Sequence, residues 1–315
     1  MKVLAIDGGG IRGLIPAIVL AEVERRTGRR VADMFDLIAG TSTGGIIAAA
    51  LARPDPIPAA QLVELYEQEG PKIFHHSLLK RIESLDGNID ERYDDSGLNA
   101  ALQRFLGDAR LSAVRPDVLI TAYDIERRSA FFFRSTRARS DPSYDFSLAA
   151  AARATSAAPT YFEPALVRDL AGRASYALVD GGVFAVNPSM CAFAELARGG
   201  RAADISVLAS LGTGSHTRPL RYADVKGWGR LQWASPIIDV VFDGVADTIE
   251  FETAQLLPPP RSVRLQTSLT EASDNLDDAS ASNLAALRRE AERLLRERAS
   301  DVESLAAALA RPRPE

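Results

Sequence analysis

Gly40-Thr41-Ser42-Thr43-Gly44 leaves little choice of local fold. It follows the apolar run Phe35 to Ala39 and precedes Gly45-Ile46-Ile47-Ala48-Ala49-Ala50-Leu51, so it reads as a tight turn between a buried strand and a helix. A GxSxG turn in that setting is a nucleophile elbow: the serine is held in a strained backbone conformation with its hydroxyl exposed. A side chain two residues to either side would collide as strand and helix close on each other. Chance alone produces the pattern in roughly one chain of this length in ten, and the plainer reading is a glycine-rich turn whose serine caps the next helix. Further motifs have to decide.

Val3-Leu4-Ala5-Ile6 reads as a second buried strand, and it runs into Asp7-Gly8-Gly9-Gly10-Ile11-Arg12-Gly13. Consecutive glycines leave amide N–H groups bare, and several of them facing one space form a nest for negative charge, which is how an oxyanion hole is built. The stretch Leu14 to Arg26 then reads as a helix with Pro16 in its first turn and Gly28 just past its end. Gly8, Gly10 and Gly13 also match GxGxxG, a dinucleotide-binding fingerprint. Against that alternative, no acid closes a second strand where the ribose should sit: Asp33 and Asp36 lie before or at the start of the next strand. Asp7 would also place a carboxylate beside the pyrophosphate.

Ser175-Tyr176-Ala177-Leu178-Val179-Asp180-Gly181-Gly182 is another apolar strand ending in a carboxylate and glycines. A serine nucleophile needs a base within hydrogen-bond reach. The only histidines are His75, His76 and His216, none with an obvious orienting acid beside it, and each reads as a surface residue. Asp180 is the better base, provided its site excludes water and stabilises the alkoxide as it forms. The two glycines after it would let the Ser42 turn approach. Taken singly, the segment is no more than a common DGG turn.

Together, DGGGIRG at Asp7 to Gly13, GTSTG at Gly40 to Gly44 and DGG at Asp180 to Gly182, in that order and each at a strand end, resemble the motifs of the patatin-like phospholipases. Arg153-Ala154-Thr155-Ser156-Ala157-Ala158-Pro159-Thr160-Tyr161-Phe162 is similar to a stretch of that family, and Ser210 to Gly214 fits its later strand and turn. The resemblance runs from Val3 to about Gly214. It implies that Ser42 is the nucleophile and Asp180 the base of a Ser-Asp dyad, that the amides of Gly8, Gly9 and Gly10 form the oxyanion hole, and that Arg12 lies nearby as a substrate-binding residue. It implies no histidine in the mechanism, no metal and no cofactor. The implied activity is lipid acyl hydrolysis of the phospholipase A or lysophospholipase type through an acyl-enzyme, or acyl transfer by the same chemistry where the acyl-enzyme excludes water. Bacterial members of the family include some switched on by cyclic nucleotides; no residue here locates such an activator. The readings from other classes are a nucleotide-binding module on Gly8, Gly10 and Gly13, and a silent scaffold, which the presence of every motif residue disfavours.

The rest of the 315 residues fits one catalytic domain, with a motif-bearing core over about 3–214 and an extension over 215–315. Strands at Val118 to Tyr123, Ala130 to Phe133 (pairing across Glu126-Arg127-Arg128-Ser129), Ile205 to Leu211 and Val263 to Thr267 alternate with helices at Gln61 to Gln68 and Asp95 to Leu106. That alternation predicts an α/β fold of three layers, a mostly parallel central sheet covered by helices on both faces. Asn283 to Leu309 reads as one long amphipathic helix. Trp228 and Trp233 with Gly227, Gly229 and Pro236 read as a packed connector, or as a loop covering the active site.

A net charge of -5 gives no electrostatic case for nucleic acid. The single Cys191 excludes an internal disulfide framework, and no stretch is long enough for a signal peptide or a bilayer span, so a cytoplasmic enzyme peripheral to the membrane is expected. Its expected partner is a membrane phospholipid or lysophospholipid, met in transient contact. Ile11, Phe35, Phe74, Phe131, Phe162 and Phe184 are candidates for an apolar acyl groove, though such residues more often fill the core. Arg127, Arg128, Arg134, Arg137 and Arg139 form a basic cluster able to meet anionic headgroups, against the commoner reading of a solvated face.

Overall fold

A computed structural model of the chain describes residues 1–74, 95–215, 219–233 and 236–310. All five residues of β1 (Lys2–Ile6) are buried, which requires cover on both faces. Its neighbours β2 (Leu37–Gly40) and β7 (Val207–Leu211) run parallel to it. On one face Leu4, Ile6 and Ile38 join the larger apolar core; on the other Val3, Leu37, Ala39 and Leu208 join a second cluster with Ala192 and Leu196. This is the period-two alternation of a strand, here apolar on both sides.

The sheet has the order β5-β6-β3-β2-β1-β7-β8, with β4 also pairing β3. From β3 (Asp117–Asp124) through to β8 (Ser262–Leu265) neighbouring strands are parallel. At the other edge β4 (Ser129–Arg134), β5 (Ala165–Arg168) and β6 (Ser175–Asp180) pair antiparallel. The hairpin of β3 and β4 forms as its sequence predicts; β5, only four residues long and buried at alternate positions, carries too little apolar pattern to be read in advance.

On the larger core face lie α1 (Leu14–Thr27), α2 (Thr43–Ala52), α3 (Ala59–Phe74), α4 (Ser96–Leu106) and α5 (Leu148–Thr155). Gly28 ends α1 in the left-handed conformation at φ 65°, as a C-terminal glycine should. On the opposite face α6 (Ser189–Arg198) packs against β1 and β2. The expected layers are therefore present.

The C-terminal hundred residues differ from expectation in two respects. A helix of 21 residues, α7 (Pro236–Leu256), follows the tryptophan segment. The tail is two helices, α8 (Ala281–Glu297) and α9 (Ala299–Ala310), rather than one. The chain leaves helical geometry at Arg298 (φ -108°, ψ 28°), and the turn brings Val302, Leu305 and Leu309 of α9 into the core beside α1. A straight helix would have carried those leucines past it. Among the described residues no helix is long and apolar enough to cross a membrane.

Candidate active site

The parallel strands end in one row. Ile6 lies opposite Gly40 on β2 and Leu211 on β7, and Gly40 lies opposite Ile120 on β3. The loops after β1, β2 and β7 therefore leave the sheet side by side at its carboxyl edge, where open α/β sheets place their sites. β6 arrives from the other direction and stops with Asp180 opposite Ala122, two residues past the Ile120 row. That offset brings Asp180 level with Ser42, itself two residues beyond Gly40.

Ser42 has φ 54° and ψ -124°, a conformation side chains rarely adopt. Its hydroxyl makes no capping bond to α2, which removes the reading of a cap; instead it lies close enough to the Asp180 carboxylate to favour that group's charged form. The flanking glycines are there for the close approach expected of them: a Cβ on Gly40 would overlap the Gly44 carbonyl oxygen, and one on Gly44 the Ile6 carbonyl oxygen. Thr155 at the end of α5 accepts the Ser42 amide at 2.8 Å, and the next turn offers the Ala157 carbonyl to the Asp180 amide at 2.9 Å. The Arg153 to Phe162 segment thus braces both partners at once. Sequence reasoning matched this segment without assigning it a task.

Asp180 is 3% exposed. Burial pushes its carboxyl up to about 7, while the Ser42 hydroxyl and the Gly182 amide, 2.7 Å from Oδ1, pull it back. A carboxylate balanced near neutrality is a competent proton acceptor at physiological pH. The glycines after it do not serve to clear the way for Ser42, as expected. Gly181 packs against Thr121, and Gly182 supplies a hydrogen bond.

The first glycine loop needs a correction as well. The Gly8 amide donates to the Val186 carbonyl at 2.9 Å, so it is not available to an oxyanion. Among the described residues none accepts from the amides of Gly9 and Gly10, which line the cavity with Ser42. Three expected donors become two. The loop is pinned from several sides: the Thr213 hydroxyl donates to the Gly8 carbonyl at 2.7 Å, the Ile11 amide to the Leu276 carbonyl at 2.8 Å, and Arg12 Nε to the Gly9 carbonyl at 3.3 Å. Arg12 is buried; burial pushes its guanidinium below the ordinary value, and Asp243, Asp274 and Asp239 pull it back up. It lines the cavity, but these partners suit a residue that shapes the loop rather than one waiting for an anion.

Asp7 meets a counter-charge that the sequence did not point to. Arg264 on β8 grips it through two bonds, Nη1 to Oδ1 at 3.0 Å and Nη2 to Oδ2 at 2.6 Å, and also donates to Ser210. Because Asp7 is 2% exposed, Arg264→Met is expected to lower the free energy of unfolding by about 3 kcal/mol in chemical denaturation, since the carboxylate is left buried and unpaired. The buried pair also speaks against a pyrophosphate cradle at Gly8, Gly10 and Gly13: a Cβ on Gly10 would overlap the Leu276 carbonyl, showing that its outer side is occupied by protein.

Ser42, Asp180 and the glycine loop open into a cavity of about 440 Å³, within the range for a single small ligand. One wall is apolar, built by Ile11, Ile46, Leu65, Ile73, Phe74 and Phe162. Of the six apolar candidates, Ile11, Phe74 and Phe162 line this wall, whereas Phe35 and Phe131 lie in the core and Phe184 packs on Tyr123 and Phe132. The opposite wall is α7, through Asp239, Phe242, Asp243, Ala246, Asp247 and Glu250. Trp228 and Trp233 meet edge to face, their ring centroids 5.3 Å apart, and do not line the cavity, so the covering element is the helix after them. The basic cluster is largely paired: Arg127 with Asp124, Arg134 with Glu195, Arg137 with Asp141 and Arg139 with Asp117. His75, His76 and His216 lie outside the described residues.

Comparisons with known proteins bear on the family. The family model for patatin-like phospholipase matches residues 4–192. Patatin-like protein 2 from Arabidopsis thaliana is 34% identical over 94% of this chain and 83% of its own length, and patatin-like protein 4 from the same plant 30% identical over 94% and 83%. A potato relative (Solanum tuberosum) named probable inactive patatin-3-Kuras 1 is 31% identical over 96% of this chain and 88% of its own. Resemblance alone therefore does not decide whether a given member turns over substrate. The chain belongs to the patatin-like phospholipase family, a family of lipid acyl hydrolases.

Proposed function

We propose that this protein hydrolyses fatty-acyl esters of membrane lipids, in the manner of a phospholipase A or lysophospholipase, with Ser42 and Asp180 as a catalytic dyad. The observation that carries the reading is the placement of a strained serine on the same cavity as a buried carboxylate, which its hydroxyl helps to stabilise in the charged form. Asp180 takes the hydroxyl proton as Ser42 Oγ attacks the ester carbonyl carbon. The carbonyl oxygen becomes an oxyanion facing the amides of Gly9 and Gly10, at the start of a helical segment whose dipole favours negative charge. Asp180 returns the proton to the departing alcohol, leaving an acyl-enzyme. Water, deprotonated by the same carboxylate, then releases the fatty acid and restores the serine.

Support for a lipid substrate comes from the apolar wall beside Ser42 and from the family. A fluorophosphonate probe should attach covalently at Ser42, located by mass spectrometry of the labelled peptide, and the protein should release fatty acid from lysophosphatidylcholine. An unlabelled Ser42 in folded protein that binds NAD or FAD tightly would overturn the reading in favour of a nucleotide-binding module.

A further inference from the structure

Helix α7 packs against α6 through Ile238, Phe242, Val245 and Ile249, which are only half-buried. Of its 21 residues just Thr253 is buried. Its inner side lines the cavity with Asp239, Asp243, Asp247 and Glu250, spaced by four, four and three residues. Its outer side carries Ile237, Val241, Gly244, Thr248, Phe251 and Gln255, again at spacings of three and four, without a charge among them. Ile237 and Val241 are 43% exposed and Phe251 66%, and Val240 flanks them at 43%. Water-facing bulk on one stripe of a long helix marks a contact surface.

We propose that this outer face of α7 seats the protein on a lipid surface of no net charge. The occupant follows from position and charge. The helix is about 10 Å thick, so a surface resting on its outer side lies one helix diameter from the cavity that holds Ser42. The carboxylates along its inner side and the overall charge of -5 oppose an anionic surface, and the uncharged stripe has no basic residue to recruit one. The arginines on and after β4, which sequence suggested for anionic headgroups, are mostly occupied by acids of the protein itself. Part of the acidic wall is neutralised from within, Glu250 by Arg264 at 3.4 Å and Asp239 and Asp243 by the Arg12 charge, but no basic residue of α7 itself faces outward. The proposal depends on the acyl-hydrolase reading only for what the docking achieves.

Flotation of the full chain with vesicles tests it. Binding to phosphatidylcholine vesicles is expected, with weaker binding when about 30 mol% phosphatidylglycerol is included and recovery of that loss in high salt. Ile237→Asp with Phe251→Asp should reduce binding by about tenfold or more, and the milder Ile237→Ser with Phe251→Ser should reduce it in the same direction. Hydrolysis of a short water-soluble ester should stay near the parent rate in both, which shows that they fold. Stronger binding to the anionic vesicles, or undiminished binding by both variants, would overturn the proposal. So would a parent dimer in light scattering that the variants convert to monomer, which would assign the face to a second copy of the chain. Binding as described without any ester turnover would uphold the docking surface and count against the dyad instead.

Discussion

Ser42→Ala is expected to lower kcat/KM for a soluble ester by about 10³–10⁴-fold, with the circular dichroism spectrum unchanged. Nothing else described beside the glycine amides is a better nucleophile: Thr43, the next hydroxyl along, is buried and bonded to Tyr66. A companion substitution isolates the strain. Ser42→Gly removes the same hydroxyl but relieves a backbone angle of φ 54°, so it should be more stable than Ser42→Ala by about 1–2 kcal/mol. At an unstrained position opening a helix the order would be the reverse or level. Equal stabilities would show that the elbow stores no strain, and undiminished turnover in either variant would remove Ser42 from the mechanism.

Asp180→Asn is expected to abolish nearly as much activity, on the order of 10³-fold, while making the protein more stable at neutral pH. The sign follows from the proton. Unfolded, the carboxyl titrates near its ordinary 3.8; folded, burial raises it to about 7. Between those values the native state holds a proton that the unfolded state has lost. Stability from this group is full below about pH 4, falls as pH rises and is lowest above about pH 7, a total of up to about 4 kcal/mol. Asparagine never ionises and still accepts from the Gly182 amide, so the gap between variant and parent should widen across that window. Denaturant midpoints taken at several pH values read it directly. In the parent, kcat/KM should rise about tenfold per pH unit up to about pH 7 and then level, because only the carboxylate form accepts the serine proton. A flat profile would place the base elsewhere.

Much of this was legible in the sequence because it was local. The elbow declares itself through Gly40, Ser42 and Gly44, and the close approaches that demand glycine there are made within a few residues or to the neighbouring strand. Strands buried on both faces, such as β1 and β2, announce themselves as unbroken apolar runs. What stayed hidden depends on residues far apart in the chain. Arg264 gives no local sign of reaching Asp7 257 positions away, and the loss of the Gly8 amide to Val186 depends on a register that no motif encodes. Helix α7 was missed for a different reason: besides the packing stripe of Ile238, Phe242, Val245 and Ile249 it carries exposed Ile237, Val241 and Phe251, so its apolar residues run round much of the helix and blur the periodicity. The break at Arg298 likewise follows from where α9 must go rather than from any residue that forbids a helix.

The grip of Arg264 on Asp7 and of the Leu276 carbonyl on the Ile11 amide ties the first loop to residues more than 250 positions further along the chain. All the motif residues leave the ribosome well before these partners do. When Ser42 and Asp180 are both made, these two contacts to the first loop are not. Under the proposed acyl-hydrolase reading, the oxyanion pocket is therefore fixed only once residues 264–276 have joined the fold.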